Sequence, residues 1–141
     1  MERIIKRAQK ALLALTIVTI AVACTREDDI NEIFLGHKWK LSFINEGNER
    51  RWPTNGATYE ISFAANNFNA TTPSGGKITG QWHADGISRT FRSTNVRVTN
   101  VAAKDTLAQR MIDIITNAQE YDGTTTYLKI IKGNDNYIQF K

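Results

Sequence analysis

From Trp39 onward the apolar residues of this chain fall on alternate positions. In HKWKLSFIN, Trp39, Leu41 and Phe43 alternate with Lys38, Lys40 and Ser42, the period of a half-buried strand. TYEISFA repeats the pattern with Tyr59, Ile61 and Phe63 against Glu60 and Ser62. ANN and PSGG are turn-forming stretches on either side of FNATT. KITGQWHA then places Ile78, Gly80, Trp82 and Ala84 on one face. A glycine at a core-facing strand position predicts a bend or close approach by another element. RTFRSTNVRVTNV supplies one or two strands through Phe91, Val96 and Val98, and TTYLKIIK and NYIQF close the chain around a GNDN turn.

The period changes in two places. DDINEIFLG reads as a short helical turn that Asp28 or Asp29 could cap and Gly36 could end. Over residues 106–118, Leu107, Met111, Ile114, Ile115 and Ala118 recur at spacings of three and four, one face of an amphipathic helix. Its cap is either Asp105, or Thr106 with Gln109 three residues on. A single apolar helix face needs an apolar sheet face to cover it. The predicted fold is α+β: a strongly curved antiparallel sheet or partial barrel of about seven or eight strands around one amphipathic helix. NERRWP, between the first two strands, reads as a loop.

The first residues follow neither period. Arg3, Lys6, Arg7 and Lys10 precede the uncharged run Ala11–Ala23. At about 1.5 Å per residue that run reaches roughly 20 Å as a helix, short of the roughly 30 Å of a bilayer core. It has the form of a signal-peptide apolar region behind a basic head. Ala21-Val22-Ala23 satisfies the small-x-small rule of ordinary signal peptidase, which would release a soluble periplasmic protein. Ahead of Cys24 it also resembles the lipobox of bacterial lipoproteins, with Ala21 where Leu is commonest. Cys24 is the chain's only cysteine, so it has no internal disulfide partner, and a thiolate metal site needs further ligands. Acylation of its sulfur resolves the anomaly, since two or more acyl chains anchor stably where one does not. The expected organisation is a signal peptide at 1–23, a lipidated acidic tether at 24–32 and one domain at 33–141. Thr25 stands where an inner-membrane retention signal would carry Asp. Glu27-Asp28-Asp29 resembles a surface-export signal of some Gram-negative lineages. The implied address is the outer membrane, on its periplasmic or cell-surface face.

Removing residues 1–23 changes the charge. The chain has 18 Lys and Arg against 14 Asp and Glu, a net +4. Taking away four basic residues and Glu2 leaves 14 against 13. A nearly neutral domain has little electrostatic reason to bind nucleic acid, whose affinity is dominated by phosphate contacts.

FLGHKWKL, TYEISFAANNFNATTPSGGKITGQW, MIDIITNAQEYDGTTTYLKII and the final YIQF together resemble the META-domain (HslJ-like) family of small bacterial lipoproteins. Gly36, Trp39 and Leu41 match its opening Gly-x-x-Trp-x-Leu strand. A lipocalin-like domain is a second resemblance. The first implies a non-catalytic domain in envelope maintenance or stress tolerance, monomeric and working through contact with an envelope protein. The second implies a carrier with a small apolar ligand inside the sheet. The cysteine pair of many META domains is missing here.

The residues offer little chemistry. No Gly-x-Ser-x-Gly or phosphate-binding glycine loop occurs. His37 and His83 fall on predicted strands, and His83 with Asp85 makes two metal ligands, not a site. No carboxylate pair has acid–base spacing. The sequence therefore assigns no catalytic residue, metal or cofactor. Arg50, Arg51 and Trp52 form a candidate interaction loop, since arginine and tryptophan often carry interface energy; alternatively Trp52 folds back to plug an open end of the sheet. Arg89, Arg92 and Arg97 form either a basic stripe or a solvated strand face. Asp105-Thr106-Leu107 resembles a bacterial O-glycosylation site that would place glycan on Thr106.

Overall fold

The computed structural model describes residues 29–141; the expected signal peptide, Cys24 and the tether up to residue 28 lie outside them. The first element is a short helix, α1, over residues 29–34. Its last turn closes as the Leu35 amide donates to the Asn31 carbonyl at 3.0 Å. Gly36 then takes φ +77°, a left-handed conformation that glycine adopts without steric cost. Ile33 and Phe34 are buried. The Trp39 indole Nε1 donates to the Ile33 carbonyl at 2.9 Å, tying α1 to the first strand. Ile30, on the stretch expected as tether, already packs against the core.

Nine strands follow, all paired antiparallel: β1 (Lys38–Glu46), β2 (Glu49–Arg51), β3 (Glu60–Phe63), β4 (Asn67–Thr71), β5 (Lys77–Asp85), β6 (Thr90–Thr99), β7 (Glu120–Gly123), β8 (Leu128–Gly133) and β9 (Asn136–Phe140). Between β6 and β7 lies helix α2 (Thr106–Thr116). The strand order is β2-β1-β3-β4-β5-β6-β7-β8-β9, and β9 also pairs with β1. The sheet thus bends into a ring, with β2 as an extra ribbon on the upper half of β1, through Ile44↔Arg51 and Glu46↔Glu49. The α+β class and the curved antiparallel sheet agree with the sequence pattern. The strand number is nine rather than seven or eight, and besides the expected amphipathic helix the short helical turn read in DDINEIFLG is present as α1. RTFRSTNVRVTNV forms one strand, β6. Two strands are added: β2, whose three polar residues ERR carry no alternation to read, and the four-residue β7, EYDG.

Period-two alternation puts Trp39, Leu41, Ile61, Phe63, Phe68 and Ile78 on the inner face. Phe34 of α1 packs at that face with ring-centroid distances of 5.0 Å to Phe63, 4.7 Å to Trp82 and 5.0 Å to Tyr121. Gly80 shows the predicted close approach: a Cβ there would stand 2.7 Å from the Phe68 ring. Helix α2 contributes Ala108, Met111, Ile114 and Ile115 to the same core, with Leu107 at its margin.

Asp105 is the cap of α2, its Oδ1 accepting from the Ala108 amide at 3.1 Å. Its other contact reaches across the fold, for the Tyr59 hydroxyl donates to the same oxygen at 2.9 Å. The helix ends earlier than the periodicity suggests. Asn117 terminates it by donating Nδ2 to the Asp113 carbonyl at 2.9 Å, so Ala118 is buried beyond the helix.

One seam of the ring is narrow. β6 meets β7 at a single pair, Thr90↔Glu120, with two further backbone bonds, Phe91 to Gln119 and Tyr121 to Arg89, both at 3.0 Å. Beyond it, α2 rather than a strand lies beside β6, and the Ser93 hydroxyl donates to the Ile115 carbonyl at 2.6 Å.

Candidate functional site

A bulge in β1 builds the most distinctive surface. Between Leu41 and Phe43 the register against β9 shifts by one residue, so that Ile44 joins the core while Phe43 packs outside it. Phe43 lies 6.1 Å from Trp52 and 6.1 Å from Tyr137 between ring centroids. The Arg50 guanidinium sits over the Phe43 ring at 4.6 Å, and the Lys129 ammonium over the Tyr137 ring at 4.8 Å. Each such cation–π contact contributes roughly 0.5–1 kcal/mol at an exposed position. Four strands, β2, β1, β9 and β8, therefore present one outward aromatic–cation patch. Trp52 is 61% exposed, an unusual position for so large an apolar side chain.

Beside Trp52 runs a groove of about 450 Å³, lined among others by Lys40, Ser42, Asn55, Thr58 and Lys141. Asn45 anchors the patch from beneath: its Nδ2 donates to the Asp135 carbonyl at 2.8 Å and the Gly47 carbonyl at 3.3 Å. Two hairpin turns are thereby clamped together, which fixes how β2 and Trp52 are presented.

The predicted trio divides. Arg50 and Arg51 lie on β2, not on a loop, because their backbone pairs with Asn45 and Ile44. Strand alternation sends them to opposite faces. Arg50 joins the patch, while Arg51 donates to Glu49 Oε2 at 3.2 Å and buries an Nε that has no partner among the described residues. Trp52 does not fold back into the ring. Phe43, Tyr137 and Lys129 are the members that sequence reasoning misses; before the bulge is known, Phe43 reads as one more inward residue of an alternating strand.

The other candidates are dispersed. His37 stacks on Trp39 with centroids 5.0 Å apart. His83 is exposed on β5 opposite Arg92. Asp85 Oδ1 accepts from the amides of Ile87 and Ser88 at 2.8 and 3.2 Å; those bonds hold its carboxyl below the usual carboxylate range and make it a turn residue. Among the described residues no three His, Cys, Asp or Glu side chains form a group suited to a metal ion. Thr106 is exposed at the first turn of α2, its hydroxyl not needed for the cap that Asp105 provides. Cys24 lies outside the described residues, among which no helix is long and apolar enough to cross a membrane.

Three tyrosines are shifted upward. Burial and the adjacent Asp105 carboxylate push the Tyr59 hydroxyl up to about 12. Burial also raises Tyr121, against the opposing pull of Arg89, and raises Tyr127, with Asp122 adding to the effect. All three hydroxyls remain protonated near neutrality, so none is a base.

Comparison with known proteins adjusts the identity. A search of curated proteins finds no match. A crystal structure of a DUF4847 family protein from Bacteroides vulgatus ATCC 8482 matches with a TM-score of 0.59 and 22% identity, covering 79% of this chain and 95% of that one. At this identity the likeness speaks for the fold. The resemblance to META-domain and lipocalin-like families is overturned, since the family profile that matches is a different one. Gly-x-x-Trp-x-Leu and an order of strands, helix and closing strands are features that any curved sheet around a helix can share, and so do not separate such families. The matching profile spans residues 53–141 and runs from just after Trp52 through β9; the chain belongs to the family described as a domain of unknown function, DUF4847.

Proposed function

We propose that this protein is a lipoprotein held at the outer membrane through Cys24, whose domain is a non-catalytic contact module working through the patch around Trp52. With the META-domain resemblance withdrawn, the reading rests on the basic head, short apolar run and Ala-Val-Ala-Cys sequence at residues 3–24, and on the exposure of Trp52. The second observation carries the domain's part. An exposed tryptophan held by Phe43 and flanked by Arg50 is the composition of an interface anchor. Envelope maintenance or stress tolerance is the role such a module would serve at that address. Helix α2 acts as an internal plug in this reading. Met111 and Ile114 occupy the space with Ile44, Ile138 and Phe140, which speaks against the competing idea of a carrier with an apolar ligand inside the ring. Thr106, exposed and free of the cap, is proposed as a site for glycan.

Intact-mass analysis of the protein from its native host tests the anchor and the glycan together. The expected N-terminus is an acylated Cys24, and an unmodified cysteine would refute the anchor. For the contact, a photo-crosslinker replacing Trp52 should capture a discrete envelope protein that the same group at Thr125 does not. Identical captures from both positions would remove the patch from consideration.

A further inference from the structure

The narrow seam leaves β6 with an open edge. Only Thr90 of its ten residues pairs with a strand on that side, and the backbone of residues 92–99 faces α2 and solvent. Just past that pair a cleft of about 590 Å³ separates the strand from the end of α2, lined by Arg92, Ser93, Thr94, Asn117, Gln119 and Glu120 among others. Unpaired strand edges are templates for adding another strand.

The side chains of β6 narrow the choice of partner. Its register against β5 runs Arg92↔His83 and Gln81↔Thr94, then shifts by one residue before Thr79↔Arg97. Asn95, at φ +53°, takes up the extra residue in a left-handed conformation that asparagine tolerates better than most. Asn95 Nδ2 donates to Gln81 Oε1 at 3.0 Å, holding the bulge. The consequence is geometric. Five residues apart, Arg92 and Arg97 would point to opposite faces of a regular strand. The bulge brings both to the outer face, opposite His83 and Thr79, four strand positions or roughly 13 Å apart. On the inner face Val98, in register with the fully buried Ile78, is left 45% exposed. From Thr90 to Thr99 there is no Asp or Glu.

We infer that β6 receives an extended acidic segment of a partner protein as an added strand. Its acidic residues, spaced i and i+4, would meet Arg92 and Arg97 on one face, and its apolar residues would cover Val98 on the other. A second copy of this chain is a poorer fit, because antiparallel β6–β6 pairing would bring Arg92 of one copy near Arg97 of the other, and like charges facing each other across strands are destabilising. Arginines and a bulge can also serve to protect an edge from any pairing; that case predicts rejection of every strand offered.

The probe is the peptide Thr-Glu-Val-Thr-Val-Glu-Thr with blocked ends, added to the full chain in detergent. Hydrogen exchange should slow at least tenfold for amides within residues 93–99 at saturation. A peptide with both Glu replaced by Lys should bind at least tenfold more weakly, as should the original peptide to the Arg92→Glu/Arg97→Glu variant. Of two peptides N-methylated on alternate amides, one for each edge, one should lose binding and the other keep it. Equal affinity for the Glu and Lys peptides, indifference to both N-methylation patterns, or no protection in 93–99 would overturn the inference. So would protection of that segment by self-association in the absence of peptide.

Discussion

Asp105 is the residue whose removal should report most clearly on how the two halves of the domain are joined. One of its oxygens accepts from both the Ala108 amide at 3.1 Å and the Tyr59 hydroxyl at 2.9 Å. Replacing an acidic N-cap by alanine costs typically about 1 kcal/mol. The Tyr59 hydroxyl loses its acceptor in the same step, and a hydrogen bond to a charged group contributes roughly 1.5 kcal/mol or more when buried. The Tyr59 ring is buried but its bond to Asp105 is only partly so, and water can partly replace the carboxylate, so about 1 kcal/mol is the fitting share. Asp105→Ala should therefore lose about 2 kcal/mol, and Tm should fall by roughly 8 °C for a domain of this size. Asp105→Asn keeps an acceptor for both donors and should lose under about 1 kcal/mol.

Thermal and urea unfolding of these two variants, Tyr59→Phe and the double variant Asp105→Ala/Tyr59→Phe give a coupling energy, expected at about 1 kcal/mol. The same pair has a signature in alkali. Tyr59 ionises at about 12 in the fold against about 10 when unfolded. The native state therefore holds the proton more tightly. Its contribution is complete below pH 10 and is lost as pH rises from 10 to 12. Wild type should lose stability more steeply across that window than Tyr59→Phe. Unchanged Tm in Asp105→Ala, or a coupling energy near zero, would show that the cap and the tyrosine act separately and would refute the reasoning.

Other substitutions separate core from surface. Gly80→Ala should destabilise by about 1–3 kcal/mol in denaturant unfolding, because its Cβ would stand 2.7 Å from the Phe68 ring and 3.0 Å from the Thr94 carbonyl; unaltered stability would mean that β4 and β5 can spread. Met111→Ala, at a fully buried position, should cost about 2–5 kcal/mol by the same measurement. Trp52→Ala should change stability by less than about 0.5 kcal/mol while abolishing partner capture, and a large loss of stability would reassign Trp52 to structure. Breaking the exposed pair between Lys132 and Asp113, 2.8 Å apart, with Lys132→Ala should cost under about 1 kcal/mol and less still in high salt.

Most of the sheet is legible in the alternation of β1, β3, β5, β8 and β9, and α2 in the spacing of Met111, Ile114 and Ile115, because one-sided burial imposes a period on sequence. What escapes has physical causes. β2 is a polar ribbon on the edge of β1 with no apolar face, so nothing in ERR distinguishes a strand from a loop. The β1 bulge converts Phe43 from a core residue into the floor of a surface patch, and the register of one strand does not reveal where its partner shifts. Val98 alternates correctly yet remains exposed, since pattern tells which face a residue occupies but not whether anything covers that face. Tyr137 and Lys129 join Trp52 only because β9 closes against β1. The cap shows a different kind of ambiguity: Asp105 and Thr106 are both good candidates locally, and the distant Tyr59 hydroxyl is an added reason for Asp105 to hold the position. Family likeness failed for a related reason, as the matched motifs describe how any small curved sheet begins and ends.

The pairing of β9 with β1, from Leu41↔Phe140 to Glu46↔Asn136, joins the first strand of the ring to the ninth. Neither Ile138 nor Phe140 can take its place in the interior until β9 itself has emerged. A polypeptide threaded start-first through a narrow conduit would thus remain open along its length during passage and acquire its finished shape only after arrival. Deleting residues 136–140 should leave every earlier strand intact in sequence yet deprive the whole of its closure.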